Sequence, residues 1–181
     1  MNPIAVAAPD GRRLRQPRAA GLLALTALTV AACGSDARAP LSRTFESPEQ
    51  AARAVLDGVA ARNADALLDL AVDEHEFRQI VWPELPSSRP EVGLPAEYAW
   101  GRLTLNSRSQ LSMTLAEHGG RRYDLIAVKF RGDTTRHETY TVHRETELVV
   151  RDASGATQTV QLFGSLLERD GQWKIFSYVV D

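Results

Sequence analysis

The chain has 181 residues, a formal net charge of −2 and 44% hydrophobic residues, an ordinary composition for one globular domain. Its basic residues are almost entirely arginines, since Lys129 and Lys174 are the only lysines. A dedicated nucleic-acid-binding protein would carry a basic face, and the near-neutral charge argues against one. We therefore predict no nucleic-acid partner.

The first residues form a segment of distinct character. Arginines at positions 12, 13, 15 and 18 precede an apolar run over residues 19–32, which ends directly before Cys33, the only cysteine. A positive segment followed by an apolar run too short to span a bilayer is typical of a secretory signal peptide. The alternatives are a transit peptide, which would spread its arginines along the helix, and a buried core helix, which would need a polar face.

The residues Val30-Ala31-Ala32-Cys33 resemble the lipobox of bacterial lipoproteins, an aliphatic residue and two small residues before a cysteine. The resemblance implies transfer of diacylglycerol to the Cys33 sulfur, cleavage before Cys33 and acylation of the new amino terminus. A thioether-linked lipid needs one thiol, and several acyl chains hold a protein stably on a membrane. We therefore predict a signal peptide over 1–32, the lipidated cysteine and a tether over 33–44, and one domain over 45–181.

The same resemblance gives an expected location and a partner. A lipid on Cys33 implies that the membrane is a partner and that the protein lies in the bacterial cell envelope. Position 34 is glycine, whereas an aspartate there tends to retain lipoproteins in the inner membrane of enteric bacteria. We therefore expect the periplasmic face of the outer membrane.

Cap residues and apolar spacing predict helices in the first half of the domain. Ser47, Pro48 and Gln50 have the pattern of a helix start with a capping box, and apolar residues then recur at helical spacing. The pattern then predicts a second helix capped by Asn63, a third begun by a capping box of Asp73 and Glu76, a loop over 87–95, and a long helix over 96–118 closed by Gly119-Gly120.

After residue 121 the hydrophobic period changes to two. Four strands are predicted, over residues 122–130, 136–151, 157–168 and 172–180, and the second is expected to be long and bent. Asp170-Gly171 is a strong hairpin signal between the last two strands. Helices followed by antiparallel strands predict an α+β fold, in which N-terminal helices pack on one face of a curved antiparallel sheet.

The opening SPEQAARAVLDGVAARNADALLDL and the closing LLERDGQWKIFSYVVD are similar to the nuclear transport factor 2-like group, the cone-shaped fold of ketosteroid isomerases and polyketide cyclases. The resemblance covers residues 45–181, and the long helix around 98–118 departs from the usual middle segment. It implies a cone with an internal cavity and pairing through the sheet, hence a homodimer. The alternatives are a cystatin-like sheet with a wrapped helix and a helical bundle with an appended meander.

Two clusters of ionisable residues are predicted to have no chemical role. Neighbours in the sequence Asp73-Glu74-His75-Glu76 point about 100° apart on a helix, so we interpret the cluster as a capped, solvated helix start. His137 and His143 share one side of the predicted strand, about 20 Å apart, which is too far for one metal ion. We predict that this side faces solvent, and we predict neither a metal site nor a cofactor.

The other side of the same strand is apolar with embedded polar residues, as a ligand-lined sheet would be. Its Glu138, Tyr140 and Arg144 are candidate pocket residues, and Tyr98 and Trp100 are candidate aromatic residues at the mouth. Further aromatic candidates for the mouth are Trp82, Trp173, Phe176 and Tyr178. The alternative is an ordinary amphipathic strand, with the aromatic residues in the core.

These patterns leave three hypotheses for function. The first is a lipid-anchored, non-catalytic binding or scaffold module, whose partner is another envelope protein or a small apolar ligand. The second is an isomerase- or cyclase-like enzyme that uses an acid and a tyrosine in the cone cavity; the third is a self-associating structural protein. The candidates for the enzyme are Tyr98, Tyr123, Tyr140 and Tyr178, with the acids Asp73, Asp124 and Glu138. None aligns with the catalytic positions of that group, so no catalytic residue is predicted.

Overall fold

The structure is a computed structural model that describes residues 40–180. The predicted signal peptide, Cys33 and most of the predicted tether lie outside the described residues. Within residues 40–180, no helix has the length and apolar character needed to cross a membrane.

The first helix, α1 (Pro48–Ala61), begins as its sequence predicts. The Ser47 side chain accepts the Gln50 N–H, and Pro48 takes the first helical position, where no N–H is needed. The helix ends at Arg62, which adopts the left-handed conformation with φ 53°. Its apolar stripe is buried in the core and consists of Ala51, Ala52, Val55, Leu56 and Val59.

Three further helices follow, and side-chain caps begin two of them. Asn63 caps α2 (Ala64–Leu68), and a capping box of Asp73 and Glu76 begins α3 (Glu74–Glu76). After α3 come a π-helical turn (Phe77–Val81) and two 3₁₀ turns (Trp82–Glu84 and Pro86–Ser88). The long α4 spans Ala96–His118, the predicted residues, and the Gly119 N–H donates to the Leu115 carbonyl at its end.

Seven strands form two antiparallel sheets in the described part of the chain. They are β1 (Tyr123–Phe130), β2 (Thr134–Arg136), β3 (Thr141–His143), β4 (Thr146–Asp152), β5 (Thr157–Val160), β6 (Ser165–Arg169) and β7 (Gln172–Ser177). One sheet has the order β1-β4-β5 and the other β2-β3-β6-β7. The outer edge of β7 is partly paired, because Phe45 and Val72 donate backbone hydrogen bonds to its carbonyls. The α+β class is therefore confirmed.

The prediction of one strand over 136–151 is wrong. Residues 137–140 form a turn, closed by the His137 N–H on the Tyr140 carbonyl, that joins β2 to β3 as a hairpin. A second break separates β3 from β4, where Glu145 takes φ 51°. The predicted strand over 157–168 is likewise divided after Val160, and the chain between its parts carries the buried Leu162 and Phe163.

Two apolar clusters fill the domain. The first packs α1 against the β1-β4-β5 sheet and against residues of β6 and β7, with Phe163 and Tyr178 among its fully buried side chains. The second lies under the α3 region and consists of Val72, Phe77, Ile80, Val81, Tyr140, Val142 and Leu167. Leu103 and Trp100 of α4 pack against this second cluster.

A buried ion pair joins α3, β7 and the start of the described chain. The Lys174 Nζ lies 3.1 Å from the Glu76 carboxylate, and both side chains are almost fully buried. The Ser42 N–H and hydroxyl both donate to Glu76 Oε1, the oxygen that Lys174 contacts, at 2.6 and 2.9 Å. The Ser42 carbonyl accepts a hydrogen bond from Lys174 Nζ at 2.5 Å. The predicted solvated helix start is therefore wrong for Glu76, although Asp73, Glu74 and His75 are exposed.

Candidate functional site

The five predicted pocket residues lie in different surroundings. Tyr140 is buried in the second cluster, and its hydroxyl donates to the Val81 carbonyl at 3.1 Å. Tyr98 is exposed on α4, and Glu138 is exposed in the turn between β2 and β3. Trp100 and Arg144 each line a groove beside α4, but not the same groove. The structure thus does not bring the five residues together.

The first groove lies between α4 and the chain that connects α2 to α3, with β7 beneath it. Its volume is about 220 Å³. Trp100, Leu103 and Phe176 supply apolar walls, and the other lining residues are Leu68, Asp69, Ala71, Val72, Asp73, Glu74, Thr104, Ser107 and Arg108.

The second groove, of about 230 Å³, lies on the other side of Leu103 and Phe176, which line both grooves. It is more polar, because the side chains of His137 and Arg144 reach it from the β2-β3 turn and the break after β3. Its remaining lining residues are Leu85, Asn106, Val142, Ser165, Ser177 and Val179. The contact region of α4 with β7 therefore separates two small grooves.

Three acids and one arginine line the first groove. Each acid has a partner: Asp69 pairs with Arg43 at 2.5 Å, Glu74 pairs with Arg78 at 2.8 Å, and Asp73 accepts the Glu76 N–H at 2.8 Å. Arg108 is exposed and has no ion-pair partner within residues 40–180. Arg108 and Asp73 are therefore the two charged lining residues without an ion pair in the described part of the chain, and the Arg108 guanidinium is the one group there that can bind an anion.

A hydroxyl group one helical turn before Arg108 has no hydrogen-bond partner. Among the described residues, the buried side-chain oxygens without a partner are Thr104 Oγ1 and Thr146 Oγ1. Thr104 lines the first groove, whereas Thr146 lies in β4 and lines neither groove. Threonine in a helix occupies two χ1 rotamers, so the Thr104 hydroxyl can turn toward a ligand in the groove.

Three tyrosine hydroxyls that the enzyme hypothesis considered have partners other than a carboxylate. The Tyr178 hydroxyl donates to the Leu67 carbonyl at 2.5 Å, and Tyr140 donates to Val81. The Tyr123 hydroxyl lies 2.9 Å from His118 Nδ1, and burial lowers the pKa of that imidazole. The isomerase- or cyclase-like reaction remains a prediction from the resemblance.

His143 does not lie on a solvent face, contrary to the prediction. Its ring packs against Phe130 and Trp173, with ring centroids 4.8 and 4.9 Å away, and its Nε2 lies 3.1 Å from the Glu168 carboxylate. His137 stacks on Tyr140 at 4.4 Å. No group of three or more His, Cys, Asp or Glu side chains in residues 40–180 is arranged to hold a metal ion.

Comparison of the chain with protein-family models, with curated proteins and with solved structures finds no match. No relative therefore supplies a role for the two grooves. Sequence reasoning named Phe176 as an aromatic candidate, but it did not identify Leu103 as a wall of both grooves, because it could not place β7 under α4. The four-residue spacing of Leu103, Ser107 and Leu111 marked the buried side of α4, and that spacing was the available signal.

Proposed function

We propose that the protein is a lipid-anchored, non-catalytic binding protein of the bacterial cell envelope. Its first groove would hold a small amphipathic molecule with an anionic end. The lipobox-like residues before Cys33 support the anchor and the location, with the outer membrane as the expected site. The observation that carries the binding role is the first groove, where apolar walls meet the Arg108 guanidinium, which has no ion-pair partner in residues 40–180.

The chemistry of the groove selects this class of ligand. Trp100, Leu103 and Phe176 remove apolar surface from water, which favours an aliphatic or small aromatic body. Arg108 favours a carboxylate or phosphate at one end, because charge-assisted hydrogen bonds to guanidinium are the strong ones. The Thr104 hydroxyl, one turn away, would donate to the same end of the ligand.

We also propose that the domain has the cone-like architecture of the nuclear transport factor 2-like group. The order of helices followed by antiparallel strands supports it, together with the sharp bend at Glu145 between β3 and β4. In this proposal α4 fills part of the cone cavity, and the two grooves are the parts of that cavity that remain open.

The binding role is tested with hexanoate as a small anionic amphiphile and the full chain as the protein. We expect hexanoate to raise the melting temperature of the wild type and Arg108→Ala to weaken its binding about tenfold, the loss of one charge-assisted hydrogen bond. Arg102→Ala is the matched control, because Arg102 is exposed on the same helix and lines neither groove. Native mass spectrometry of the wild type from its own envelope checks for a retained ligand. Equal binding by both variants would refute a role for the first groove.

The anchor is tested with Cys33→Ser. Without the thiol no thioether to diacylglycerol can form, so we expect an uncleaved, unlipidated precursor. Mass spectrometry of the denatured protein and membrane fractionation are the measurements. A variant of normal mass and normal fractionation would contradict the lipoprotein proposal and leave the groove proposal standing.

A further inference from the structure

Two buried serines form the base of the second groove. Ser165 of β6 and Ser177 of β7 are paired in register, and both line the groove. Residues directly opposite each other on antiparallel strands project their side chains from the same face of the sheet. The two residues are only 6% and 4% exposed. The sheet therefore places two hydroxyl groups side by side at the base of the groove.

Neither serine hydroxyl has a hydrogen-bond partner in residues 40–180. In that part of the chain, the unpartnered side-chain oxygens that protein atoms enclose are those of Thr104 and Thr146, so the two serine hydroxyls are open to the groove. A buried hydroxyl gives up hydrogen bonds to water on folding, a cost that alanine at the same position would not have. Two such hydroxyls at one groove are donors available to a bound acceptor.

Two basic side chains reach the same groove from loops. Arg144 is exposed in the break between β3 and β4, and His137 lies in the turn between β2 and β3, where its ring stacks on Tyr140 with centroids 4.4 Å apart. Neither the Arg144 guanidinium nor the His137 ring has a hydrogen bond or an ion pair within the described residues. Arginine is always charged, and imidazole keeps one N–H donor even when it is neutral.

The lining of the second groove contains no acidic residue. Glu138 and Glu145 follow His137 and Arg144 in the sequence, but neither of them lines the groove. Asn106 of α4 adds an amide group to the lining. The positive charge of Arg144 is therefore accompanied by neutral donors, with no carboxylate among the lining residues to offset it.

We propose that the second groove binds a phosphate group, at a site separate from the ligand of the first groove. Arg144 supplies the charge and a planar pair of N–H donors, and Ser165 and Ser177 donate from the sheet. Donors that converge from a sheet, a helix and two loops suit the tetrahedral oxygens of phosphate better than the planar oxygens of a carboxylate. The group is free phosphate or the end of a phosphate monoester, whose apolar body would contact Leu103 and Phe176.

The test is isothermal titration calorimetry of the full chain in a phosphate-free buffer, with inorganic phosphate and phenyl phosphate as the two probes. We expect the wild type to bind and Arg144→Ala to bind about tenfold more weakly. Arg136→Ala is the matched control, because Arg136 is exposed on β2 beside His137 and lines neither groove. Tighter binding of phenyl phosphate would identify a monoester as the source of the group, and equal binding would identify free phosphate.

A second variant tests the base of the groove without changing its charge. The double substitution Ser165→Ala with Ser177→Ala removes two unpartnered hydroxyls, so we expect about tenfold weaker phosphate binding with no fall in melting temperature. Three results would each overturn the proposal: no binding of either probe by the wild type, an equal loss in Arg144→Ala and Arg136→Ala, or unchanged binding by the double serine variant.

Hexanoate separates this site from the proposed function. We expect Arg144→Ala to bind hexanoate as the wild type does, and Arg108→Ala to bind the phosphate probes as the wild type does, because each arginine lines one groove alone. Phosphate binding that is lost in Arg108→Ala and kept in Arg144→Ala would place the anion in the first groove and overturn the proposal. Failure at either groove leaves the proposal for the other standing.

Discussion

Thr104 and Thr146 bury hydroxyl oxygens that have no hydrogen-bond partner in residues 40–180, but they differ in place. Thr104 lies on α4 at the first groove, and Thr146 is fully buried in β4. A buried hydroxyl without a partner costs stability, because it loses its hydrogen bonds to water on folding. Such a cost at a groove is expected where a ligand supplies the missing partner.

Replacement of each threonine by valine separates stability from binding. Thr104→Val and Thr146→Val both keep the side-chain shape and remove the hydroxyl, so each is expected to raise the free energy of unfolding by about 1 kcal/mol. Only Thr104→Val is expected to weaken hexanoate binding. Urea unfolding and titration with hexanoate measure the two effects. Loss of binding in Thr146→Val, or none in Thr104→Val, would contradict a ligand contact at Thr104.

Glu76 shows what local sequence reasoning can and cannot supply at one residue. Its capping box with Asp73 was predicted, because the three-residue spacing is a local signal. Its ion pair with Lys174 and its hydrogen bonds with Ser42 join residues far apart in the sequence. No periodicity reports such pairing, so the carboxylate was expected in solvent.

At the scale of elements, the helices were predicted better than the strands. The starts of α1, α2 and α3 depend on neighbouring cap residues, and the bounds of α4 follow from Pro95 and Gly119. The break before β4 depends on the left-handed backbone conformation of Glu145, and a glutamate gives no indication of that conformation in the sequence. Val142 before this break and Leu148 and Val150 after it are all buried. The alternation of buried and exposed side chains therefore continues across a point where the strand itself is interrupted.

Gly101 weakens α4 at its exposed side. A Cβ atom added there would meet no other atom within 4 Å, and glycine inside a helix costs conformational entropy. Gly101→Ala is therefore expected to raise the free energy of unfolding by about 0.5–1 kcal/mol. Thermal unfolding followed by circular dichroism measures it.

The matched control for Gly101→Ala is Gly93→Ala. Space around Gly93 is equally open, but its φ of +65° disfavours a side chain, so this variant is expected to be less stable than the wild type. A stabilised Gly93→Ala, or a destabilised Gly101→Ala, would contradict the backbone account.

At the scale of the whole molecule, the α+β class was predicted from the order of elements, and the grooves were not. Trp100 and Arg144, two of the predicted pocket residues, line different grooves. Tyr140, predicted to line a pocket from its strand face, is instead packed in the second cluster. The groove walls depend on where α4 crosses β7, and that crossing is fixed by tertiary packing rather than by any local pattern.

Two buried tyrosines make the fold sensitive to alkaline pH. Burial raises the pKa of Tyr140 and of Tyr178 well above the ordinary value of 10.0. As pH rises, the tyrosine hydroxyls of the unfolded chain lose their protons at a lower pH than the two buried hydroxyls of the folded chain. The stability that the two tyrosines contribute is therefore fully present below pH 10 and is lost as pH rises above it. We expect the free energy of unfolding to fall steadily above pH 10, which urea titrations at successive pH values measure.

Tyr140→Phe is expected to make that fall shallower, because it removes one of the two groups. Tyr98→Phe is the control, since Tyr98 is exposed on α4. An unchanged slope in Tyr140→Phe would show that another group causes the alkaline loss.

The cluster of Ser42, Glu76 and Lys174 determines how a mechanical load enters the domain. Tension on the chain from its N-terminal side reaches the fold at Leu41, which packs on the second apolar cluster, and at Ser42. The N–H, hydroxyl and carbonyl of Ser42 are all bound to the two buried charges. The load is then divided at once between a helix and a strand that are distant in sequence, α3 and β7. The force is thus spread across the domain instead of peeling its first residues away.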